Sequence, residues 1–281
     1  MKSFEELLNQ AGKILTEAQI PDARLDAWLL MEYVFGISRA WYYVHSRERA
    51  NEAKIPEYEA LVQRRREHIP LQHLTNQAYF MGREFYVDKR VLIPRQDTEI
   101  LVEEAGKHLR SGMRILDMCT GSGCILYSLL LMQPESKGTG VDLSADALEV
   151  ARLNQERLGI SPDRAVLINS DLFQELTGSF DMIVSNPPYI PKGDIEDLAQ
   201  EVREHDPLMA LDGGEDGLGF YRQIAQAAPK YLEPSGWIFL EIGWNQGQAV
   251  EQLLSEAGFQ AVCVKKDYAG LDRVVMGRRS P

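Results

Sequence analysis

Cysteine is scarce in this sequence, with Cys119, Cys124 and Cys263 the only three among 281 residues. Their low number and scattered spacing exclude a disulfide framework and a Cys/His zinc site, and we expect no bound metal. Apolar runs are also short, and none approaches the roughly 20 residues of a membrane-spanning helix. The first residues lack the apolar core and the cleavage site of a signal peptide. We therefore expect a protein of the reducing cytoplasm with no membrane part.

The sequence also contains fewer basic than acidic residues. The chain has 30 Lys and Arg against 42 Asp and Glu, a net charge of −12. Proteins that bind nucleic acids usually carry a basic face, so this balance argues against direct DNA binding. The two signs nearly cancel in residues 1–75, and the acidic excess lies in the remainder. That excess indicates a soluble surface and is compatible with a basic partner.

The first 75 residues show the spacing of amphipathic helices. Ser3 and Glu6 form a predicted capping box, which marks a helix start. Pro56 suits the first turn of a later helix, and Pro70 is expected to end it. The pattern predicts a small bundle of four or five helices as an N-terminal domain over residues 1–75.

Residues 76–97 change character and predict a β-hairpin linker with a turn at Gly82. From residue 98 to 281, helices alternate with short apolar strands. The predicted strands lie at 114–117, 139–142, 165–169, 181–185, 237–242, 261–264 and 273–276. Such alternation predicts an α/β domain with a parallel sheet that is covered by helices on both faces.

A glycine-rich loop follows the first of these strands and opens a helix. Glycines allow close approach of the backbone to a ligand, and a helix N-terminus presents free N–H groups. Asp142 stands at the end of the next strand, where a carboxylate can accept the two hydroxyls of a ribose. We predict cofactor contacts from Asp142 and from Cys119, Thr120, Gly121, Ser122 and Gly123. The alternative is a tight turn with a capping acid.

Asn186-Pro187-Pro188-Tyr189 directly follows an apolar strand. The prolines stiffen the backbone and remove N–H donors, which leaves carbonyl groups free. The side-chain oxygen of Asn186 and the carbonyl of Pro187 can then accept both hydrogens of a substrate –NH2 group, while Tyr189 packs against its plane. Two such bonds orient a weakly nucleophilic nitrogen and stabilise the positive charge that develops on it. The alternative is a rigid turn that only ends the strand.

The loop resembles the acid-x-Gly-x-Gly-x-Gly loop of class I (Rossmann-like) methyltransferases, with Cys119 in place of the first glycine. Cys119 either adopts an allowed backbone conformation or displaces the loop. In that class an acid after the third strand often accepts the adenine amino group, and apolar neighbours pack on the ring. The resemblance therefore implies cofactor contacts for Asp171 and Leu172, whereas the alternative is a helix cap at Asp171.

The whole chain resembles the peptide chain release factor glutamine methyltransferases. The resemblance is carried by Asn186–Tyr189, by Leu92–Glu99, by Asp206–Arg222 and by Leu240–Gly243. It departs from the family pattern at Cys119 and also at Gln96 and Asn76.

This resemblance implies a methyltransferase that takes S-adenosylmethionine as cofactor and methylates the glutamine of the Gly-Gly-Gln motif in class 1 release factors. Asn186, Pro187 and Tyr189 would be catalytic, and Asn186 would also touch the cofactor. Pro188 would join these three residues in binding the glutamine. The N-terminal helices would grip the release factor, and Ile93–Arg95 would cover the cofactor. Arg64–Arg66 would either contribute to that grip or form a solvated helix face, and the pattern favours the solvated face.

Two other functions stay open at this point. DNA adenine-N6 methyltransferases share Asn-Pro-Pro-Tyr, but they need a pocket for an extruded base and usually a basic DNA-reading region, for which this chain has no spare length. A cofactor-binding module without catalysis is the other alternative, although it would have no need of Asn-Pro-Pro-Tyr.

Overall fold

A computed structural model describes residues 2–281. The chain forms two compact units. Unit 1 comprises Met1–Gln77 and Ala199–His205, and unit 2 comprises Ala78–Leu198 and Asp206–Pro281. From Ala78 onward, the segment expected as a linker therefore belongs to unit 2. Among the described residues, no helix combines the length and the apolar character needed to cross a membrane.

Unit 1 is built from helices, which are numbered here along the whole chain. They are α1 (Phe4–Glu17), α2 (Ala23–Phe35), α3 (Arg39–His45), α4 (Ile55–Arg66) and α5 (Leu71–Thr75). The predicted capping box at α1 is confirmed, because the Glu6 amide donates to Ser3 Oγ and the Ser3 amide donates to Glu6 Oε2. The expectation that Pro70 ends the preceding helix is wrong. The chain leaves α4 after Arg66, since His68 has a φ of 62° that no α-helix accommodates, and Pro70 instead caps α5.

A buried ion network completes unit 1. Arg65 is 4% exposed, and its Nε donates to Asp26 Oδ2 at 2.7 Å. Its Nη2 donates to Glu201 Oε1 at 2.5 Å, which ties the short helix Gln200–His205 to this unit. A buried guanidinium needs such partners to offset its desolvation. Arg65 is therefore occupied within the unit, whereas Arg64 and Arg66 are exposed.

Unit 2 begins with the predicted hairpin, formed by β1 (Ala78–Phe80) and β2 (Arg83–Phe85). Met81 and Gly82 have φ values of 49° and 69°, the sign that a type I′ two-residue turn requires. The further strands are β3 (Arg114–Met118), β4 (Lys137–Asp142), β5 (Ala165–Asn169), β6 (Phe180–Ser185), β7 (Leu232–Glu241), β8 (Gln260–Lys266) and β9 (Asp272–Arg278). The helices of the unit are α6 (Glu99–Gly106), α7 (Cys124–Met132), α8 (Ala145–Arg157), α10 (Gly219–Tyr231) and α11 (Gly247–Glu256), and Gln200–His205 of unit 1 is α9 in chain order.

The seven strands β3 to β9 form one sheet in the order β5-β4-β3-β6-β7-β9-β8. Neighbouring strands from β5 to β7 run parallel, whereas β9 is antiparallel to both β7 and β8. The expected doubly wound α/β fold is confirmed, with β9 as an exception to the predicted parallel sheet. Only a short loop joins β8 to β9, and a parallel pair would need a crossover of a dozen or more residues.

Helices cover both faces of this sheet. Ile115 of β3 and Met182 of β6 point into a hydrophobic cluster with α6 and α7. The next residues, Leu116 and Ile183, point into a second cluster with α10 and α11. Because successive side chains of a strand alternate between faces, these strands are apolar throughout. Polar residues are therefore concentrated where the strands end.

Candidate active site

A cleft of about 360 Å³ opens at the carboxyl ends of the central strands in unit 2. This volume lies within the range of roughly 300–1,000 Å³ that is typical of small-molecule sites, and parallel α/β sheets bind ligands at this edge. The predicted residues that line the cleft are Cys119, Thr120, Gly121, Ser122, Asp142, Asp171, Leu172, Asn186 and Pro188. Gly123, Pro187 and Tyr189 do not line it.

Asp142 lies against the glycine-rich loop at the end of β4. Its Oδ2 accepts from the Gly121 amide at 2.8 Å, and its Oδ1 accepts from the Ser144 amide at 2.9 Å. Burial raises the pKa of Asp142, and these backbone bonds counter the rise. The carboxylate is thus held in one place at the wall of the cleft.

Asp117 is the penultimate residue of β3, just before the same loop, and is fully buried. Its Oδ2 accepts from Thr120 Oγ1 at 2.6 Å, whereas its Oδ1 has no partner among the described residues. Burial raises the pKa of Asp117 to about 7. An unsatisfied buried acceptor is costly, and Asp117 itself does not line the cleft.

Cys119 retains the glycine-like shape of the loop. Its φ is 59°, inside the small left-handed region that few non-glycine residues occupy. Cys119 therefore adopts the positive φ of a glycine, which is strained for a residue with a Cβ. Gly123 has a different task, since a Cβ there would lie 2.2 Å from the Tyr127 ring. Gly123 thus permits the packing of α7 rather than lining the cleft.

Asn186 begins the turn that leaves β6 and is half-buried at the cleft. Its Nδ2 donates to Thr98 Oγ1 at 3.2 Å. Pro187 and Pro188 are buried, and Tyr189 is half-buried. Burial raises the pKa of Tyr189 to about 12, so its hydroxyl keeps its proton at neutral pH. Tyr189 is therefore suited to packing and not to accepting a proton.

Of the segment expected to cover a cofactor, Pro94 and Arg95 line the cleft but Ile93 does not. Ile93 is 3% exposed and packs in a small apolar cluster with Val87 and Val91, which corrects the expectation for that residue. Arg95 forms an ion pair with Asp206. This pair links the segment before α6 to the one that follows α9 in sequence.

Two family descriptions match the chain: "PrmC N-terminal domain" over residues 6–75 and "Methyltransferase small domain" over residues 95–215. The release factor glutamine methyltransferase of Geobacter sulfurreducens is 40% identical over 277 residues, which cover 98% of this chain and 96% of the relative. The chain belongs to the release factor glutamine methyltransferase family. The family member from Clostridium acetobutylicum is 35% identical, with 98% of each chain covered. The family resemblance seen in the sequence motifs is thereby confirmed.

Solved structures of more distant proteins share the fold. A methyltransferase from Pyrococcus furiosus superimposes with a TM-score of 0.54 at 18% identity, covering 80% of this chain and 99% of that one. The 16S rRNA N2 G1207 methyltransferase of T. thermophilus, solved with AdoMet and guanosine, gives a TM-score of 0.52 at 20% identity, covering 72% of this chain and 49% of that one. At such identities the likeness establishes the fold alone.

Two residues that support the release factor glutamine methyltransferase site, Gln246 and Gly213, received no role from the sequence. Gln246 Nε2 donates to the Tyr189 carbonyl at 2.9 Å and to the Gly217 carbonyl at 3.2 Å. A Cβ on Gly213 would lie 2.7 Å from Tyr189 Cα, so only glycine fits there. The Gly213–Gly217 segment was visible as a glycine-rich block, but nothing in the sequence shows that it packs against Asn-Pro-Pro-Tyr.

Glu241 is the other residue that sequence reasoning left without a role. It ends β7 and is 1% exposed, and burial raises its pKa to about 7. Its Oε2 has no partner within the part of the chain that the structure describes. A charged residue at the end of an apolar strand was the available signal, because such residues are almost never buried without a partner.

Proposed function

We propose that the protein methylates the side-chain amide nitrogen (N5) of a glutamine in class 1 peptide chain release factors, with S-adenosylmethionine as methyl donor. We further propose that the target is the glutamine of the Gly-Gly-Gln motif. The observation that carries the proposal is the position of Asn186. Its amide stands at the end of β6, on the same cleft as the glycine loop and Asp142. Family membership supports the same conclusion.

The residues around the cleft fit the cofactor. Asp142 would accept the ribose hydroxyls, the loop from Cys119 to Ser122 would follow the chain of the ligand, and Asp171 with Leu172 would contact the adenine. When bound, S-adenosylmethionine supplies a methyl group on a positively charged sulfur. The cleft then needs only to hold the acceptor nitrogen in line with it.

The Asn-Pro-Pro-Tyr turn would hold that acceptor. Asn186 Oδ1 and the Pro187 carbonyl would each accept one hydrogen of the glutamine –NH2. Tyr189 and Pro188 would pack against the plane of the amide. These bonds strengthen as positive charge develops on the nitrogen, so they favour the transition state over the ground state. The prolines make the geometry rigid in advance, which removes a reorganisation step from the reaction.

We propose that unit 1 recognises the body of the release factor. Its helix α3 buries none of its residues, and Tyr43 and Val44 on it are 76% and 77% exposed. Exposed large apolar side chains of this kind often mark a protein-binding surface. In the variant Tyr43→Ser, the KM for an intact release factor should rise while the KM for a short Gly-Gly-Gln peptide stays unchanged. Equal KM values for the two enzymes on the intact factor would argue against this role.

The direct test is incubation of the protein with a class 1 release factor and S-adenosylmethionine that carries a labelled methyl group. Peptide mass spectrometry should find one labelled methyl on the glutamine of Gly-Gly-Gln. A release factor with that glutamine changed to alanine is the matched control, and duplex DNA is the second substrate. Label in adenine, or no label in the release factor, would contradict the proposal. A protein that acts on release factors would work where translation terminates, so we place it in the cytoplasm.

A further inference from the structure

The amide of Asn186 has two chemically opposite ends, since Oδ1 only accepts hydrogen bonds and Nδ2 only donates them. Only one of its two orientations can serve an incoming –NH2 group. The reversed orientation would place N–H against N–H. The surroundings of Asn186 therefore decide whether the site can work, and those surroundings involve Thr98 and Glu241.

Strand pairing brings these residues together. Ser185 of β6 is paired with Leu240 of the parallel strand β7, so Asn186 and Glu241 follow at adjacent strand ends. Thr98, at the end of the short helix before α6, packs against both. Thr98 is 2% exposed and Glu241 is 1% exposed. Thr98 and Glu241 are thus held in a shielded environment where hydrogen-bond direction matters strongly, and Asn186 lies half-buried beside them.

The hydrogen bonds in this group have a fixed direction. Asn186 Nδ2 donates to Thr98 Oγ1 at 3.2 Å. The side chains of Thr98 and Asn186 also lie near the Glu241 carboxyl, and both lower its pKa against the effect of burial. In its ionised form, which Thr98 and Asn186 favour, the Glu241 carboxylate accepts but cannot donate, so the Asn186 group that faces it is Nδ2 and not Oδ1. The oxygen of Asn186 is then left for the cleft, which this residue lines.

We propose that Glu241 and Thr98 are positioning residues that fix the orientation of the Asn186 amide, so that its oxygen faces the substrate –NH2. This inference rests on the proposed function, because it assigns these two residues a task in the same reaction. Neither touches the reacting atoms. Both act through Asn186.

The burial of Glu241 and its unpartnered oxygen support a functional reason for its presence. One of its carboxyl oxygens has no partner in the described residues, and burial disfavours its charge. A glutamine or an apolar residue would be easier to bury. Residues that lower stability in this way are commonly retained for activity.

The test compares Thr98→Val with Thr98→Ser. Valine keeps the shape of threonine and removes the hydroxyl, whereas serine keeps the hydroxyl. With an intact release factor, Thr98→Val should lower kcat by roughly 10- to 100-fold, which corresponds to about 1.4–2.7 kcal/mol of lost stabilisation. Thr98→Ser should stay within about threefold of the wild-type enzyme, and Glu241→Gln should resemble Thr98→Val because a glutamine amide can donate as well as accept. The control is Ser136→Ala, which removes a fully buried hydroxyl that bonds the Arg110 carbonyl away from the cleft.

A double-mutant cycle separates positioning from general damage. In an Asn186→Ala background, Thr98→Val should have no further effect on single-turnover rate, since Thr98 acts only through the missing side chain. Additive losses, or full kcat in Thr98→Val, would overturn the positioning role. Failure of the wild-type enzyme to methylate the release factor would instead contradict the proposed function. The two failures are therefore distinguishable in one set of assays.

Discussion

The two sides of the cleft are built in different ways. On the side that we propose to bind the cofactor, Asp142 is held by the backbone amides of Gly121 and Ser144, and the strands that carry the loop and the acid, β3 and β4, pair in parallel. On the acceptor side, the Asn-Pro-Pro-Tyr turn is held by side chains far away in sequence, such as Thr98 and Gln246. The comparison teaches that a ligand site formed by one strand–loop–helix unit is determined by residues close together in the sequence. A site that must orient a single amide needs support from several elements.

If the acceptor side depends on distant support, disturbing that support should abolish turnover and leave cofactor binding intact. Gly213→Ala places a Cβ 2.7 Å from Tyr189 Cα and 2.9 Å from Gly217 Cα, so the backbone must shift. We expect kcat to fall by ~10²-fold or more, since small misplacements at a reacting centre have effects of this size. Gly193→Ala is the matched control, because its Cβ meets nothing within 4 Å. Calorimetry with S-adenosylmethionine should give equal affinities for both variants, and a normal kcat in Gly213→Ala would refute the dependence.

On the cofactor side, Asp142→Ala should weaken S-adenosylmethionine binding by roughly 10- to 100-fold, the usual value of one or two hydrogen bonds to a charged group. Circular dichroism should show that the variant remains folded. Asp163→Ala, at an exposed carboxylate away from the cleft, is the control. Unchanged affinity in a folded Asp142→Ala protein would remove Asp142 from the cofactor site.

The sequence predicted the features that depend on residues close together in the chain, and it missed those that depend on distant residues. The fold class and the position of the glycine-rich loop at the cleft were predictable, because each rests on periodicity or on a motif within one strand–loop–helix unit. The short helix Gln200–His205 in unit 1 was not predictable, since its place depends on the buried pair between Arg65 and Glu201, more than a hundred residues apart. The roles of Glu241 and Gln246 were hidden for the same reason. The hydropathy pattern of a sequence does not show which strand ends lie next to each other in the sheet.

The buried Glu241 should make stability depend on pH. Its folded pKa of about 7 lies above the ordinary 4.5, so ionisation destabilises the fold as pH rises through 7. The groups that face it are Thr98, Asn186, Arg273 on β9 and Asp97 in the helix before α6, and of these only Asp97 adds to the rise.

Glu241→Gln removes this ionisation. Between pH 5 and pH 8 its free energy of unfolding should therefore gain on the order of 2 kcal/mol relative to the wild-type protein. Urea unfolding at both pH values measures the difference, with Glu256→Gln at an exposed glutamate as the control. If the difference in unfolding free energy between Glu241→Gln and the wild-type protein does not change with pH, burial does not raise the pKa of Glu241 in the folded protein.

The smallest effect is expected at Cys119. Its left-handed backbone is strained by about 1 kcal/mol, and glycine would relieve the strain while losing the packing of the thiol. Cys119→Gly should therefore bind S-adenosylmethionine within about threefold of the wild-type protein. Cys119→Val should bind more weakly, because a β-branched residue tolerates positive φ poorly. Tighter binding by the valine variant would mean that the loop does not need this conformation.

The most direct measurement is the single-turnover rate of Asn186→Ala on a class 1 release factor, with circular dichroism of the same sample. The variant keeps the proline turn and loses the acceptor oxygen. The rate should fall by ~10²–10³-fold in a protein that remains folded, since removal of one preorganised hydrogen bond at a developing charge has this effect. A folded Asn186→Ala enzyme with a near-native rate would contradict the assignment of the acceptor nitrogen to the Asn-Pro-Pro-Tyr turn.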